Sequence, residues 1–280
     1  MVLLLPFDAH NHVQLGSFSP PPLSFMKDTL SAPRWVQELE LLLQADSSIA
    51  VGEIGLDNFH FNDPVTKELS SPMQTQMLAM EWQIKLAVQY QRPVSVHCVR
   101  AMGSMLEVWK KVIASKKESK QPQQNNLPPR IYFHAFGGKA ATVIQLIRLL
   151  EPKPKSQKKK KKKQRNEGDG NIEIDDMTAT EEKNLPLATT AASTSATIEQ
   201  PTVVYFGFAP IVNFQSPKTL DVIRAVGLDR LVLETDHEEA YKVPTTMKEG
   251  LRVISGAFGI TEEELIAITN KNAKRLYMLD

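Results

Sequence analysis

Six residues able to bind a metal ion each fall at the C-terminal end of a strand-like run. They are His10 and His12 in FDAHNHV, Glu53 in IAVGEIGLD, His97 in PVSVHC, His134 in RIYFHAFGG and Asp236 in RLVLETD. Imidazoles and carboxylates at the mouths of several parallel strands are how a β/α barrel assembles a site. Histidines scattered at random over a surface would not select strand ends again and again. The expected fold class is therefore α/β, a TIM-type barrel.

The runs between these residues agree. Strands are expected at Leu3–Asp8, Ile49–Ile54, Pro93–His97, Arg130–His134, Thr202–Phe208 and Arg230–Leu233. Helices are expected at Pro33–Gln44, Gln74–Tyr90, Met102–Ser115, Ala140–Leu150, Lys218–Val226, Thr246–Ala257 and Glu262–Leu279. Pro33 suits the first position of its helix, where a missing N–H costs nothing. Val143, Ile144, Ile147 and Leu150 recur at helical spacing. Strands this apolar, alternating with helices, imply a parallel sheet buried on both faces.

One stretch does not fit. Residues 152–200 open with PKPKSQKKKKKKQR, turn acidic around Asp175 and end in Thr/Ala/Ser-rich sequence. Few large apolar side chains occur there to offset the entropy of ordering, so a disordered insert is expected between two parts of one barrel, 1–151 and 201–280. The run Lys158–Lys163 with Arg165 reads as a nuclear-localisation signal, a weak phosphate tether, a protein-partner segment or simply a solvated loop. The formal charge of +1 argues against a nucleic-acid-coating protein. One cysteine, Cys98, excludes an internal disulfide and suits a reducing compartment. The apolar start VLLLPF is too short to span a membrane and lacks a basic n-region. The expectation is an intracellular protein, cytoplasmic and/or nuclear.

Side chains alternate along a strand, so His10 and His12 point the same way, with Asp8 one step deeper. Two imidazoles from one strand can reach one ion, Glu53 has two oxygens with which to bridge a pair, and His97 and His134 add nitrogens. Asp236 can ligate a metal and also accept a proton from water. Each residue has a plainer reading: an isolated HxH is weak, His97 or His134 alone can be a satisfied barrel histidine, and Glu53 alone can cap a turn. His60 reads as a loop residue, and His237 as facing substrate or solvent.

Taken in order, the motifs resemble the TatD family of metal-dependent deoxyribonucleases, within the amidohydrolase-like barrels. DAHNH matches the opening DxHxH, VGEIGLD the family's GEIGLD, and PVSVHCVRA the strand ending in HxxR, with FHAFGG and LETD following. Gln76, Met80, Gln83 and Ala87 fit the helix before the third motif, and ITEEELIAITNKNAKRLYML the closing TxxNxxRLF helix. The resemblance implies two divalent ions (zinc, magnesium or manganese) and hydrolysis of phosphodiester bonds in DNA by a water that those ions activate, often from the 3′ end. It implies His10, His12, Glu53, His97, His134 and Asp236 as ligands, with Glu53 and Asp236 catalytic. Arg100 of HxxR is a phosphate contact on this reading, since guanidinium matches phosphate geometry, or else half of a surface ion pair.

The chain departs from the family twice. After LETD it continues HEEAYKVP instead of a small residue and proline, and Glu238 and Glu239 make that rim less welcoming to DNA. More seriously, the interval from His10 to Glu53 holds one clear helix and no convincing strand where the family fits two βα units. Six strands are therefore counted where a closed barrel has eight. Two alternatives stay open: a non-catalytic interaction or scaffold protein derived from the family, and a shortened variant with an incomplete active site. A related amidohydrolase-type reaction on a small substrate is a further reading within the enzymes.

Overall fold

The computed structural model describes residues 33–47, 50–59, 61–63, 65–66, 68–69, 71–115, 127–151 and 201–279. The expected strand Leu3–Asp8, the ligand candidates His10 and His12, His60 and the insert 152–200 lie outside the described residues.

Along the chain run α1 (Arg34–Ala45), β1 (Val51–Asp57), β2 (Phe61–Asp63), β3 (Glu68–Leu69), α2 (Met73–Gln89), β4 (Val94–Val99) and α3 (Met102–Ser115). Then follow β5 (Arg130–Phe133), α4 (Ala140–Leu150), β6 (Val203–Phe208), α5 (Pro210–Asn213), α6 (Thr219–Val226), β7 (Leu231–Leu233), α7 (Val243–Phe258) and α8 (Glu262–Tyr277). Five strands pair in parallel in the order β1-β4-β5-β6-β7, while β2 and β3 form a small antiparallel hairpin. The large sheet therefore runs in sequence order without a reversal. A doubly wound sheet reverses at its switch point; steady progression is the winding of a β/α barrel. Strands β5 and β6 stand on either side of the insert and pair from Arg130↔Val203 to Phe133↔Phe206. Both parts of the chain thus build one sheet.

The alternation of the strands sorts two cores. Ile131 and Phe133 of β5, Val204 and Phe206 of β6, and Leu231 and Leu233 of β7 face the helices, where Met80, Met105, Trp109 and Leu146 cover them. Phe133 stacks on Phe206 with ring centroids 5.6 Å apart, and each such ring contributes about 1.5–3 kcal/mol by leaving water. Tyr132, Tyr205 and Val232 face the other way and meet Ala273 and Leu276 from the end of α8. In α4 the buried stripe is Val143, Leu146 and Leu150, while Ile144 is 44% exposed. The expected stripe was one residue out, because positions 143, 146, 147 and 150 share the face and 144 turns away from it.

Helix ends follow local chemistry. Thr261 and Glu264 form a reciprocal capping box at the start of α8 (Glu264 N–H to Thr261 Oγ1, 3.1 Å; Thr261 N–H to Glu264 Oε2, 2.9 Å). Gly259 closes α7 at φ 67°, a left-handed conformation that glycine adopts without penalty. The closing signature has a structural task. Asn272, 2% exposed, donates from Nδ2 to the carbonyls of Leu228 (2.7 Å) and Leu231 (2.8 Å), tying α8 to the start of β7. Asn272→Ala leaves both carbonyls short of a buried donor and should cost about 1–3 kcal/mol, read by chemical denaturation. A change under a few tenths of a kcal/mol would rule the tie out as a stabilising contact.

No helix among the described residues is long and apolar enough to cross a membrane.

Candidate metal centre

The strand ends converge as the alternation requires. Glu53 lies in β1, where the pairing with β4 slips between Val51 and Ile54; such irregularities re-aim a side chain. His97 lies opposite Gly55 in that ladder. Gly55, at φ 157°, leaves no room for a side chain, since a Cβ there would collide with the His97 carbonyl. His134 follows β5, and Asp236 lies three residues past the end of β7.

Three of the six expected ligands form one cluster. One ligand atom each from Glu53, His97 and His134 lies within 4.8 Å of the others. His134 Nε2 is 3.0 Å from Glu53 Oε1 and 3.2 Å from His97 Nδ1. His97 Nδ1 is 4.0 Å from the other Glu53 oxygen. The imidazoles stack with centroids 5.5 Å apart and planes at 22°. Asp236 Oδ1 stands 4.0 Å from His134 Nδ1, at the edge of the cluster. The structure thus brings together Glu53, His97 and His134, with Asp236 beside them, while His10 and His12 lie outside the described residues.

Behind the cluster is a carboxylate that the motif reading passed over. Glu234 has a side chain 0% exposed, a costly place for a charge unless it is fully partnered. It accepts from the Tyr132 hydroxyl at Oε2 (2.6 Å) and from the Ala135 N–H at Oε1, and it faces His134 Nδ1 at 3.4 Å. A carboxylate on the far nitrogen fixes the tautomer and orientation of a metal-ligating histidine. With Nδ1–H turned to Glu234, His134 offers Nε2 to the cluster. Tyr132 on β5 reaches Glu234 beyond β7 by crossing β6 at Gly207, where a Cβ would collide with both the tyrosine oxygen and the carboxylate. A signal existed in the sequence: Glu234 shares the face of Asp236, two residues on, in a strand otherwise apolar.

His97 has a looser counterpart, Asp57 Oδ2, 3.9 Å from Nε2. Gln76, noted in the sequence only as a family match, clamps the main chain of Asp57: Asp57 N–H donates to its Oε1 (2.7 Å), and its Nε2 donates to the Asp57 carbonyl (3.0 Å).

The electrostatics suit a cation. Burial lowers the pKa of His97, with the neighbouring His134 adding to the fall against the pull of Glu53, so its nitrogens favour the neutral form that a ligand needs. His134 goes the other way. Burial alone would lower it, but hydrogen bonds to Glu234 and Glu53 outweigh that and push it up to about 10. The carboxylates thus hold a positive charge at His134. The donor set of one carboxylate and two imidazoles fits zinc, manganese or iron, and an ion would replace the proton on Nε2 while Nδ1–H stays with Glu234.

Arg100, Ala135 and Asp236 each follow a strand of this rim with φ of 51°, 40° and 59°. Left-handed backbone at non-glycine residues costs on the order of 1–3 kcal/mol apiece and clusters at functional sites. Arg100 makes no ion pair among the described residues; its guanidinium lies 4.0 Å from the ring centroid of Phe59. Burial pushes the thiol of Cys98, beside His97, up to about 11, which favours its protonated form at neutral pH.

The family model for TatD-related DNases matches residues 7–166 and 176–278. The Cut9-interacting protein scn1 of Schizosaccharomyces pombe is 24% identical over 252 residues, which cover 80% of this chain and 61% of that protein. The chain therefore spans less than two thirds of that relative's length. Among solved structures, the TatD homologue YJJV of Escherichia coli aligns with TM-score 0.54 and 18% identity, covering 89% of this chain and 72% of its own. A TatD-family hydrolase from Entamoeba histolytica gives 0.53 and 14%, covering 92% and 71%. An uncharacterised amidohydrolase from Saccharomyces cerevisiae gives 0.52 and 15%, covering 86% and 70%. At these identities the likeness carries the fold and no more.

Proposed function

Since the chain belongs to the TatD-related DNase family, we propose that it is a metal-dependent hydrolase that cleaves phosphodiester bonds in DNA, acting on strand ends. The convergence of Glu53, His97 and His134 from three different strands on one point carries this reading. Glu53, His97, His134 and Asp236 would hold divalent ions, joined by His10 and His12. Bound there, such ions supply Lewis acidity toward phosphoryl oxygens and lower the pKa of water.

The chain's own residues do the rest. Asp236, at the edge of the cluster with 23% of its side chain exposed, would take a proton from the attacking water. Glu234 keeps His134 from turning. Arg100, exposed on the rim with its donors unclaimed by any carboxylate among the described residues, can take a phosphate oxygen. Hydrolysis of a single-stranded oligonucleotide is the test, with magnesium, manganese or zinc supplied. Glu53→Ala should abolish the metal-dependent cleavage, and unchanged cleavage would sink the reading. Lactone and amide substrates run in parallel separate phosphodiester chemistry from other amidohydrolase reactions.

A second reading has one observation behind it: the Schizosaccharomyces pombe relative is named for an interaction with another protein. The insert is the natural segment for such a role, because it is attached away from the site. Glu151, just before it, accepts from the Val204 N–H (2.7 Å) and pairs with Arg230 through both guanidinium nitrogens. The two attachment points therefore meet at the N-terminal end of the sheet, opposite the strand ends that carry the ligands. Replacing 152–200 by a short linker should leave metal binding and hydrolysis intact. Loss of both would mean that the insert helps to form the site.

A further inference from the structure

Asp236 stands in a left-handed conformation, φ 59°, three residues past β7. Such backbone is costly for a non-glycine residue and persists only where the surroundings over-determine it. On the near side the support is plain, since Glu234 and Thr235 are 2% and 0% exposed. On the far side the sequence runs HEEAYKV before Pro244, so no proline fixes the backbone of the turn. Glu238, Glu239, Ala240 and Tyr241 are all exposed. Packing does little to hold the chain between Asp236 and α7.

A hydrogen bond does that work. His237, expected to face substrate or solvent, turns to α7 instead, with Nε2 2.8 Å from Thr246 Oγ1. Thr246 is 8% exposed in the first turn of α7, and Met247, Leu251 and Ile254 root that helix in the core. Between them the chain closes on itself: Lys242 N–H donates to the Glu239 carbonyl (3.0 Å), and Lys242 Nζ donates to Glu239 Oε1 (2.8 Å). A threonine hydroxyl both donates and accepts, so the bond forms with either imidazole tautomer and with the protonated ring. What it restrains is sensitive to position. Asp236 Oδ1 lies 4.0 Å from His134 Nδ1, and a misplacement of about 1 Å in a reacting group can cost about 100-fold in rate.

We infer that His237 is a positioning residue: its bond to Thr246 clasps the turn beyond Asp236 to α7 and so keeps the Asp236 carboxylate in place beside His134. This rests on the hydrolase reading, in which Asp236 takes the proton of the attacking water. His237 acts through Asp236 and not on the substrate.

Cleavage of a single-stranded oligonucleotide by the full-length protein at saturating metal tests this. His237→Ala should lower kcat about 10–100-fold. KM should stay within about twofold, the split expected when only transition-state stabilisation is lost. Thr246→Val removes the hydroxyl and keeps the shape, and should do the same. The double variant should be no worse than either single one, because the two side chains act through one bond. His237→Gln, whose amide nitrogen can take the place of Nε2, should recover most of the rate. A kcat within about twofold of wild type in His237→Ala, a loss carried by KM instead, or equal damage from alanine and glutamine overturns the clasp. If the wild type cleaves nothing, the hydrolase reading fails separately, and calorimetry with zinc alone decides. His237→Ala should then bind about tenfold or more weakly than wild type, with His237→Gln close to wild type. Equal affinities in wild type and His237→Ala, or no binding by either, overturn the positioning role.

Discussion

Replacing Glu234 by leucine should be the most damaging single change near the site at a residue that is not itself an expected metal ligand. The substitution removes a fully buried carboxylate that accepts from the Tyr132 hydroxyl and the Ala135 N–H and faces His134. Those donors are then left buried without an acceptor. Breaking a buried charged pair in this way costs about 3–5 kcal/mol. Losing the carboxylate behind a ligating histidine weakens metal binding by about 10–100-fold. Denaturant unfolding with a chelator present reads the first effect, and calorimetric metal titration reads the second. Glu234→Gln keeps an acceptor for one of the two donors, Tyr132 or Ala135, and should recover part of the stability while still weakening metal.

The same residue sets a pH dependence in the metal-free protein. Folding raises the pKa of His134 from 6.5 to about 10. A raised pKa means that the folded state binds the proton more tightly, so the stabilisation is complete below about 6.5 and fades as the pH climbs toward 10. Wild-type protein with chelator should lose stability across that window. Glu234→Leu should flatten the profile, because one of the two carboxylates that raise the imidazole is gone. A wild-type profile that is level from neutral to alkaline pH would contradict the assignment.

Gly207→Ala is the second large effect. The added methyl cannot fit: its Cβ would fall on the Tyr132 hydroxyl and the Glu234 carboxylate at once. Either that hydrogen bond opens or β6 shifts. Overpacking of this kind costs about 1–3 kcal/mol and sometimes more; the upper end applies here, because a buried polar contact is displaced as well. The signature that separates this from ordinary destabilisation is a parallel loss of metal affinity, although Gly207 is not a ligand. A variant that unfolds earlier but binds metal as wild type would mean that Tyr132 and Glu234 do not support His134.

This pair of residues also shows where sequence reading stops. Strand alternation was enough to expect β4, β5, β6 and β7 within a residue or so at most ends, and to place Glu53, His97 and His134 on one rim. Helical spacing did the same for α3 and α4, whose observed ends are the expected ones. Neither revealed the bridge from Tyr132 to Glu234, because that contact joins strands on opposite sides of β6. It depends on a missing side chain at Gly207, a relation no periodicity encodes. The β2–β3 hairpin escaped for another reason: runs as short as FND and EL carry no measurable alternation. The four-residue α5 is too short to show a helical face. Ile144 was placed on the buried stripe because its neighbour shares its chemistry, and only packing tells the two apart. Asp57 and Gln76 lie within motifs that were recognised, yet their task, fixing the end of β1, is a matter of hydrogen bonds between a strand and a helix.

The central claim is that strands β1, β4 and β5 bring Glu53, His97 and His134 together as a metal centre, and direct measurement of bound metal tests it. Purified monodisperse protein should hold divalent ions in simple stoichiometry by elemental mass spectrometry, about two per chain for the paired site proposed here. His134→Ala should lose most of that metal while keeping its fold by circular dichroism. If the wild-type protein carries no metal and shows no saturable binding of zinc, manganese or magnesium, the convergence of these side chains is not a metal centre and the hydrolytic account falls with it.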